Sequence, residues 1–184
     1  MAVINRAVVW CAAAGIVLGL TAYAGDELDG LTGTVVRFAA GSGFAWACAG
    51  LLAGYLLRPR RTAAAGAVAL LIAATVAYYT TYAVTGVRWY RMFHEDGTSA
   101  APDAMRSLAL AAAFWLVASV AGGAVLGLLG HAIRRAPARL ALAATGLAFV
   151  LMAVAGLAIS MDSVVPACVA AVVLLSLRPV LRST

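Results

Sequence analysis

Arg58-Pro59-Arg60-Arg61-Thr62, followed by an uncharged run from Ala63 to Thr85 that opens Ala63-Ala64-Ala65-Gly66-Ala67-Val68-Ala69-Leu70-Leu71-Ile72, decides the fold class. After the arginine cluster the next charge comes only at Arg88. An apolar stretch of that length matches the roughly 20 residues a helix needs to cross a hydrocarbon core of ~30 Å. Backbone groups in lipid must bond within their own segment, and the alternation of a membrane barrel strand is absent, so the run reads as a transmembrane helix.

Five further stretches share this character, giving expected spans at about 7–24, 34–57, 63–85, 107–130, 138–158 and 163–181. The 184-residue chain is 65% hydrophobic and 11% charged, whereas a soluble domain carries about 25% charged residues. Six spans and their short turns use up the chain. The expectation is an all-α polytopic membrane protein, a single bundle of six transmembrane helices in one domain, 1–184, with no separate soluble catalytic domain.

All 13 basic residues are arginines, and the net charge is +6. They cluster at the ends of apolar runs rather than forming a basic stripe interleaved with aromatics, so no nucleic-acid partner is expected. Threading the spans in order puts nine arginines on one face (Arg6, Arg58, Arg60, Arg61, Arg134, Arg135, Arg139, Arg178 and Arg182) and four on the other (Arg37, Arg88, Arg91 and Arg106). The positive-inside rule then places both termini in the cytoplasm of a bacterial cytoplasmic (inner) membrane protein. The acids sort with this assignment: Asp26, Glu27, Asp29, Glu95, Asp96, Asp103 and Asp162 all fall in outer loops. Ala22-Tyr23-Ala24 before Gly25 resembles a signal cleavage site, but the apolar run before it is longer than a signal core, so an uncleaved first helix is expected. Cys11, Cys48 and Cys168 lie inside apolar runs without ligand spacing. Neither a disulfide nor a metal is expected, and no cofactor motif occurs.

Small residues recur at four-residue spacing: Cys11, Gly15 and Gly19; Gly50 and Gly54; Ser119, Gly123 and Gly127. Such stripes bring helices into close contact in lipid, either inside the bundle or against a partner membrane subunit or second copy. Gly15-Ile16-Val17-Leu18-Gly19-Leu20 and Gly123-Ala124-Val125-Leu126-Gly127-Leu128, on helices of opposite direction, have the form of an inverted repeat.

Chemistry concentrates on the outer side. Thr75, Tyr78, Tyr82 and Thr85 share one face of the third span, which is expected to turn into the bundle because hydroxyls in lipid are costly. That face lines a cavity or supplies packing hydroxyls, with Tyr82 also placed for an interfacial belt. Arg88-Trp89-Tyr90-Arg91-Met92-Phe93-His94-Glu95-Asp96 follows. Arg88, Trp89 and Arg91 suit binding of a phosphate or carboxylate, or a lid, or an interfacial anchor. Two arginines on the acidic side run against the orientation rule and are expected to have local partners. His94 beside Glu95 is a weak acid/base candidate, because neighbouring positions on a helix do not face each other. His131 reads as a surface residue. Asp26, Glu27 and Asp29 with Asp162 form an outer cluster for a cation or a cationic substrate, or solvated loop charge, and Asp162 reads first as the cap of the sixth helix.

Phe114-Trp115-Leu116-Val117-Ala118-Ser119-Val120-Ala121-Gly122-Gly123-Ala124-Val125-Leu126-Gly127 followed by Arg134, the Trp46 region and the six-span layout resemble an actinobacterial family of small membrane proteins catalogued as a domain of unknown function. That resemblance covers most of the chain and implies membrane location without an activity. The architecture is also similar to the substrate-binding components of energy-coupling-factor transporters, whose AxxxA contact on helix 1 is approximated by Ala7, Cys11 and Gly15.

The expected function is binding of a small solute or lipid head group in an extracytoplasmic-side pocket, in one form as a transporter subunit. Its candidate ligand-binding residues are Thr75, Tyr78, Tyr82, Arg88, Trp89, Arg91 and Asp162. The alternatives are a membrane-embedded enzyme on an isoprenoid or lipid substrate, with His94, Glu95 or Asp162 as acid/base, and a structural subunit of a membrane complex. Paired carboxylates across a cavity would mark the enzyme, and a filled bundle the structural subunit.

Overall fold

The computed structural model describes residues 2–85 and 99–135, which are helical throughout apart from short turns. The helices are α1 (Ala2–Glu27), α2 (Gly30–Val36) running into a π-helical turn (Arg37–Gly41), α3 (Gly43–Leu56), α4 (Arg60–Thr85) and α5 (Ala101–Arg135). Two compact units divide the chain, Met1–Gly130 and His131–Thr184, and of the second only the final turn of α5 is described. Within these residues three helices are long and apolar enough to cross a membrane, or four if the bent pair Gly30–Gly41 and Gly43–Leu56 is one span. The expected spans at 138–158 and 163–181 lie outside the described residues.

The first four expected spans coincide with helices, with two differences. The helices extend further at their ends than the apolar runs, so that 107–130 becomes Ala101–Arg135 and 7–24 becomes Ala2–Glu27. An acidic residue, Asp103, suits the first turn of α5 and Arg134 and Arg135 its last, because each complements the helix dipole there. The span expected at 34–57 is not one helix. It bends by 42° at Ser42.

Gly41-Ser42-Gly43 explains the bend. Ser42 leaves the helical region at φ −77°, ψ 144°, and its hydroxyl oxygen accepts from the Ala45 N–H at 3.1 Å, capping α3. The same hydroxyl donates to the Phe38 carbonyl at 2.7 Å, and the Trp46 indole N–H donates to the Ala40 carbonyl at 2.6 Å. The Phe38 and Ala40 carbonyls and the Ala45 N–H are thus paired locally, the arrangement a non-helical step inside an apolar segment calls for.

The glycines show how the helices run. A Cβ at Gly15 or Gly19 would strike the carbonyl of Leu70 or Ala74, so α1 and α4 touch backbone to backbone and lie parallel. On α5, Gly127 meets Ala63 and Ala64, and Gly123 meets Ala67 and Val68, so α5 runs antiparallel to α4. Gly50 faces Leu126, and Gly54 meets Gly127 itself, which sets α3 parallel to α5. All three small-residue stripes are spent on contacts inside the chain. Close approach of this kind supplies dispersion contact where lipid removes the hydrophobic drive between helices.

α4 is the central helix: Ala63, Gly66, Ala67, Leu70, Leu71, Ala74 and Thr75 are all buried, and Ala53 of α3 joins them in the core. The outward faces carry large apolar side chains, Trp10, Val17, Phe114, Val117 and Val125 among them, as expected for helices facing lipid. Cys11 and Cys48 are free thiols. His131, expected at the surface, is buried at 5% exposure in the penultimate turn of α5.

Candidate functional site

Beyond the glycine contacts the same helices separate. Toward the end of the bundle where Asp26 and Glu27 close α1, a cavity of about 310 Å³ opens between α1, the break before α3, α4 and α5. Ala22 and Asp26 contribute from α1; Gly41, Gly43, Trp46 and Ala47 from the break and the start of α3; Leu71, Tyr78 and Tyr79 from α4. The α5 wall is Trp115, Ala118, Ser119, Gly122 and Leu126, whose spacings of three and four residues put them on one face.

The helix break makes room for the cavity. Two glycines beside Ser42 line it, and a Cβ on Gly43 would meet nothing within 4 Å. The same is true of Gly122, in contrast to its neighbour Gly123, which is pressed against Val68.

Asp26 is the charged member. It sits in the last turn of α1, half-buried, and its Oδ2 accepts from the Tyr78 hydroxyl at 2.7 Å. Glu27 and Asp29 are exposed, as the solvated-loop alternative has it, while the Asp26 carboxylate faces the bundle. A ring assembly supports Tyr78. It stacks on Tyr82 at 6.1 Å between centroids, meets Tyr79 edge-on at 5.1 Å, and Tyr82 in turn meets Tyr23 edge-on at 6.1 Å. The Thr85 hydroxyl donates to the Thr81 carbonyl and accepts from the Tyr23 hydroxyl, which ties the ends of α1 and α4 together.

Below these rings Thr75 is fully buried. Its hydroxyl and that of Ser119 lie 2.8 Å apart, joining α4 to α5, and Thr75 Oγ1 also donates to the Leu71 carbonyl at 2.9 Å. Ser119 lines the cavity while Thr75 lies behind it.

Of the residues expected to bind ligand, Tyr78 lines the cavity, Thr75 braces its α5 wall through Ser119, and Tyr82 supports Tyr78 from outside the lining. Thr85, on the same face, is exposed at the helix end. Arg88, Trp89, Arg91 and Asp162, and the acid/base candidates His94 and Glu95, lie outside the described residues. Asp26 was read from the sequence as part of an outer acidic cluster, whereas Trp46, Trp115 and Ser119 were not singled out as pocket residues. A signal for Asp26 was available: Gly15, Gly19, Ala22 and Asp26 follow one another at four, three and four residues, so Asp26 continues the packing stripe of α1 rather than opening the loop.

No family model matches this chain, and no curated protein or solved structure matches it with significance.

Proposed function

We propose that this chain is a six-helix integral membrane protein with both termini in the cytoplasm, and that it binds a small solute or lipid head group in the cavity at the acidic, extracytoplasmic end. The observation that carries the reading is the cavity itself. A bundle whose helices touch at their backbones at Gly15, Gly19, Gly54, Gly123 and Gly127 opens around a half-buried carboxylate and four large rings. Its volume of about 310 Å³ stands at the lower end of the ~300–1,000 Å³ usual for small-molecule sites, and its apolar walls with a few polar groups have the usual composition of such sites. Among the described residues one carboxylate lines it, where the enzyme alternative calls for two; a purely structural subunit has no need of an opening.

The apolar stretches 138–158 and 163–181 support the count of six, and the excess of arginines at one end supports the orientation. Reporter fusions after Thr62 and at Thr184 will read cytoplasmic and one near Gly97 extracytoplasmic; a cytoplasmic signal at Gly97 defeats the topology. In the transporter-subunit form a partner docks on the lipid-facing surfaces, since the α1 stripe is occupied by α4.

Gly122→Leu tests the binding reading. The new side chain starts in open space on the cavity face and narrows the cavity. Native mass spectrometry of gently solubilised protein is expected to show a bound small molecule on the wild type and none on Gly122→Leu, with helical content unchanged. Adducts that persist in the narrowed variant, or none on either protein, overturn the reading.

A further inference from the structure

We infer that the cavity selects small organic monocations, binding an ammonium group at Asp26 with its alkyl substituents against the rings of Tyr78, Tyr79, Trp46 and Trp115. The inference rests on the binding reading above and names its ligand class.

The sign of the site comes first. The chain carries thirteen arginines, yet no arginine or histidine is among the described residues lining the cavity, and among those residues the one carboxyl is that of Asp26. Asp26 also stands in the final turn of α1, where the unpaired carbonyls give the helix end a partial negative charge. An acid there opposes the dipole preference and deepens the negative potential, and Glu27 and Asp29 beside it act in the same direction. A carboxylate offers about four acceptor positions, and the Tyr78 hydroxyl occupies one.

The donors come next. An anion needs cationic or several neutral hydrogen-bond donors, and three of the lining's donors are committed elsewhere: the Trp46 N–H to the Ala40 carbonyl, the Tyr78 hydroxyl to Asp26, and the Ser119 hydroxyl to Thr75, which leaves among the described lining side chains only the neutral Tyr79 hydroxyl and Trp115 N–H. With its polar atom engaged, Trp46 offers the cavity its indole ring, and Tyr78 its phenol ring. Ring faces attract cations, and alkylammonium groups in aromatic surroundings are the best-known case. A hard divalent ion would need six or more oxygen ligands, and no group of three acidic, histidine or cysteine side chains converges among the described residues.

The ammonium can come from a free amine or from a lipid head group, and one experiment separates the sources. The full chain is placed in nanodiscs of phosphatidylglycerol alone, which has no ammonium, and equilibrium binding of radiolabelled choline is measured. Saturable binding is expected, with no competition from 3,3-dimethylbutan-1-ol, its uncharged isostere. Asp26→Asn keeps an acceptor for Tyr78 and is expected to weaken binding at least about tenfold. Tyr78→Phe, which keeps both the ring and the carboxylate, is expected to change it less than about threefold. Adding phosphatidylethanolamine to the disc displaces choline if a lipid head group is the natural occupant and leaves binding unchanged if a free amine is; both results support the class. No choline binding, equal competition by the uncharged isostere, or an Asp26→Asn affinity equal to wild type overturns cation selectivity while leaving the cavity reading to the mass-spectrometric test. Choline binding undiminished in Gly122→Leu instead places the cation site elsewhere and overturns both.

Discussion

The two ends of this bundle use the same helices in opposite ways. At the arginine-rich end Gly15, Gly54, Gly123 and Gly127 bring backbone onto backbone, with the side chains of Leu57, Leu71 and Leu126 packed against Gly50 and Gly66 beside them. At the acidic end the α1–α4 contact passes through Tyr23, Asp26, Tyr78 and Tyr82, and α5 stands away from α1 behind a cavity. The Thr75–Ser119 hydrogen bond marks the border on α4 and α5. Residue size along each interface thus sets the helix separation. Dispersion from close approach holds one end, while ring contacts and a few hydrogen bonds hold the other and leave room between them.

The comparison is broken most severely at Gly127. Gly127→Leu would drive a side chain into the backbones of Ala63 and Ala64 and the Ala67 methyl at once, where no rotamer relieves the collision at Cβ. A loss of more than about 4 kcal/mol is expected, the range reserved for gross steric or cavity defects. Circular dichroism and size exclusion in detergent should find no folded monomer, and a folded Gly127→Leu protein would show that the tight end is not tight.

Next in size is the border. Thr75→Val leaves Ser119 without its partner on α4, and a loss of about 1 kcal/mol is expected, as for polar pairs between membrane helices. The cycle with Ser119→Ala, followed by reversible unfolding in mixed micelles, should return a coupling of about 0.5–1.7 kcal/mol. Strict additivity of the two changes would remove the bond from the account of this border.

Trp46→Phe sharpens the link between the helix break and the cavity. It withdraws the donor from the Ala40 carbonyl at a cost of about 1 kcal/mol and leaves a ring in place. Amide hydrogen exchange should rise at 37–46 more than at 15–19, and unaltered exchange in the break would show that the indole does not hold it.

Gly122→Leu has the smallest expected effect on stability. Its Cβ meets nothing within 4 Å, and leucine has a better helix propensity than glycine by up to ~1 kcal/mol, so the midpoint should stay level or rise while the cavity narrows. The contrast with Gly127→Leu, five residues away on the same helix, is the sharpest measure of how differently the two ends are built.

Hydropathy located the first four membrane-length segments because burial in lipid is a property of each segment alone. The shared face of Thr75, Tyr78 and Tyr82 was likewise legible, since helical period fixes direction without reference to neighbours. The break at Ser42 was not, because Ala39-Ala40-Gly41-Ser42-Gly43 is apolar or neutral enough to pass as continuous helix. What interrupts it is a pattern of hydrogen bonds that average polarity does not record.

By itself, then, the sequence determined that the chain is helical and membrane-like, where its first four apolar segments lie, and which of their residues are small enough for close contact. Only the tertiary structure decided which stripe meets which. α4 accepts Gly15 and Gly19 on one side and Gly123 and Gly127 on another, a pairing that any of several glycine-bearing helices satisfied locally. It also decided that Asp26, adjacent in sequence to the exposed Glu27, turns inward to Tyr78, fifty-two positions away in the chain. The physical reason is the same in both cases. Local covalent geometry sets the direction of a side chain about its own helix, but the partner it meets there depends on how far neighbouring helices approach, and that distance is settled by the summed fit of all their small residues.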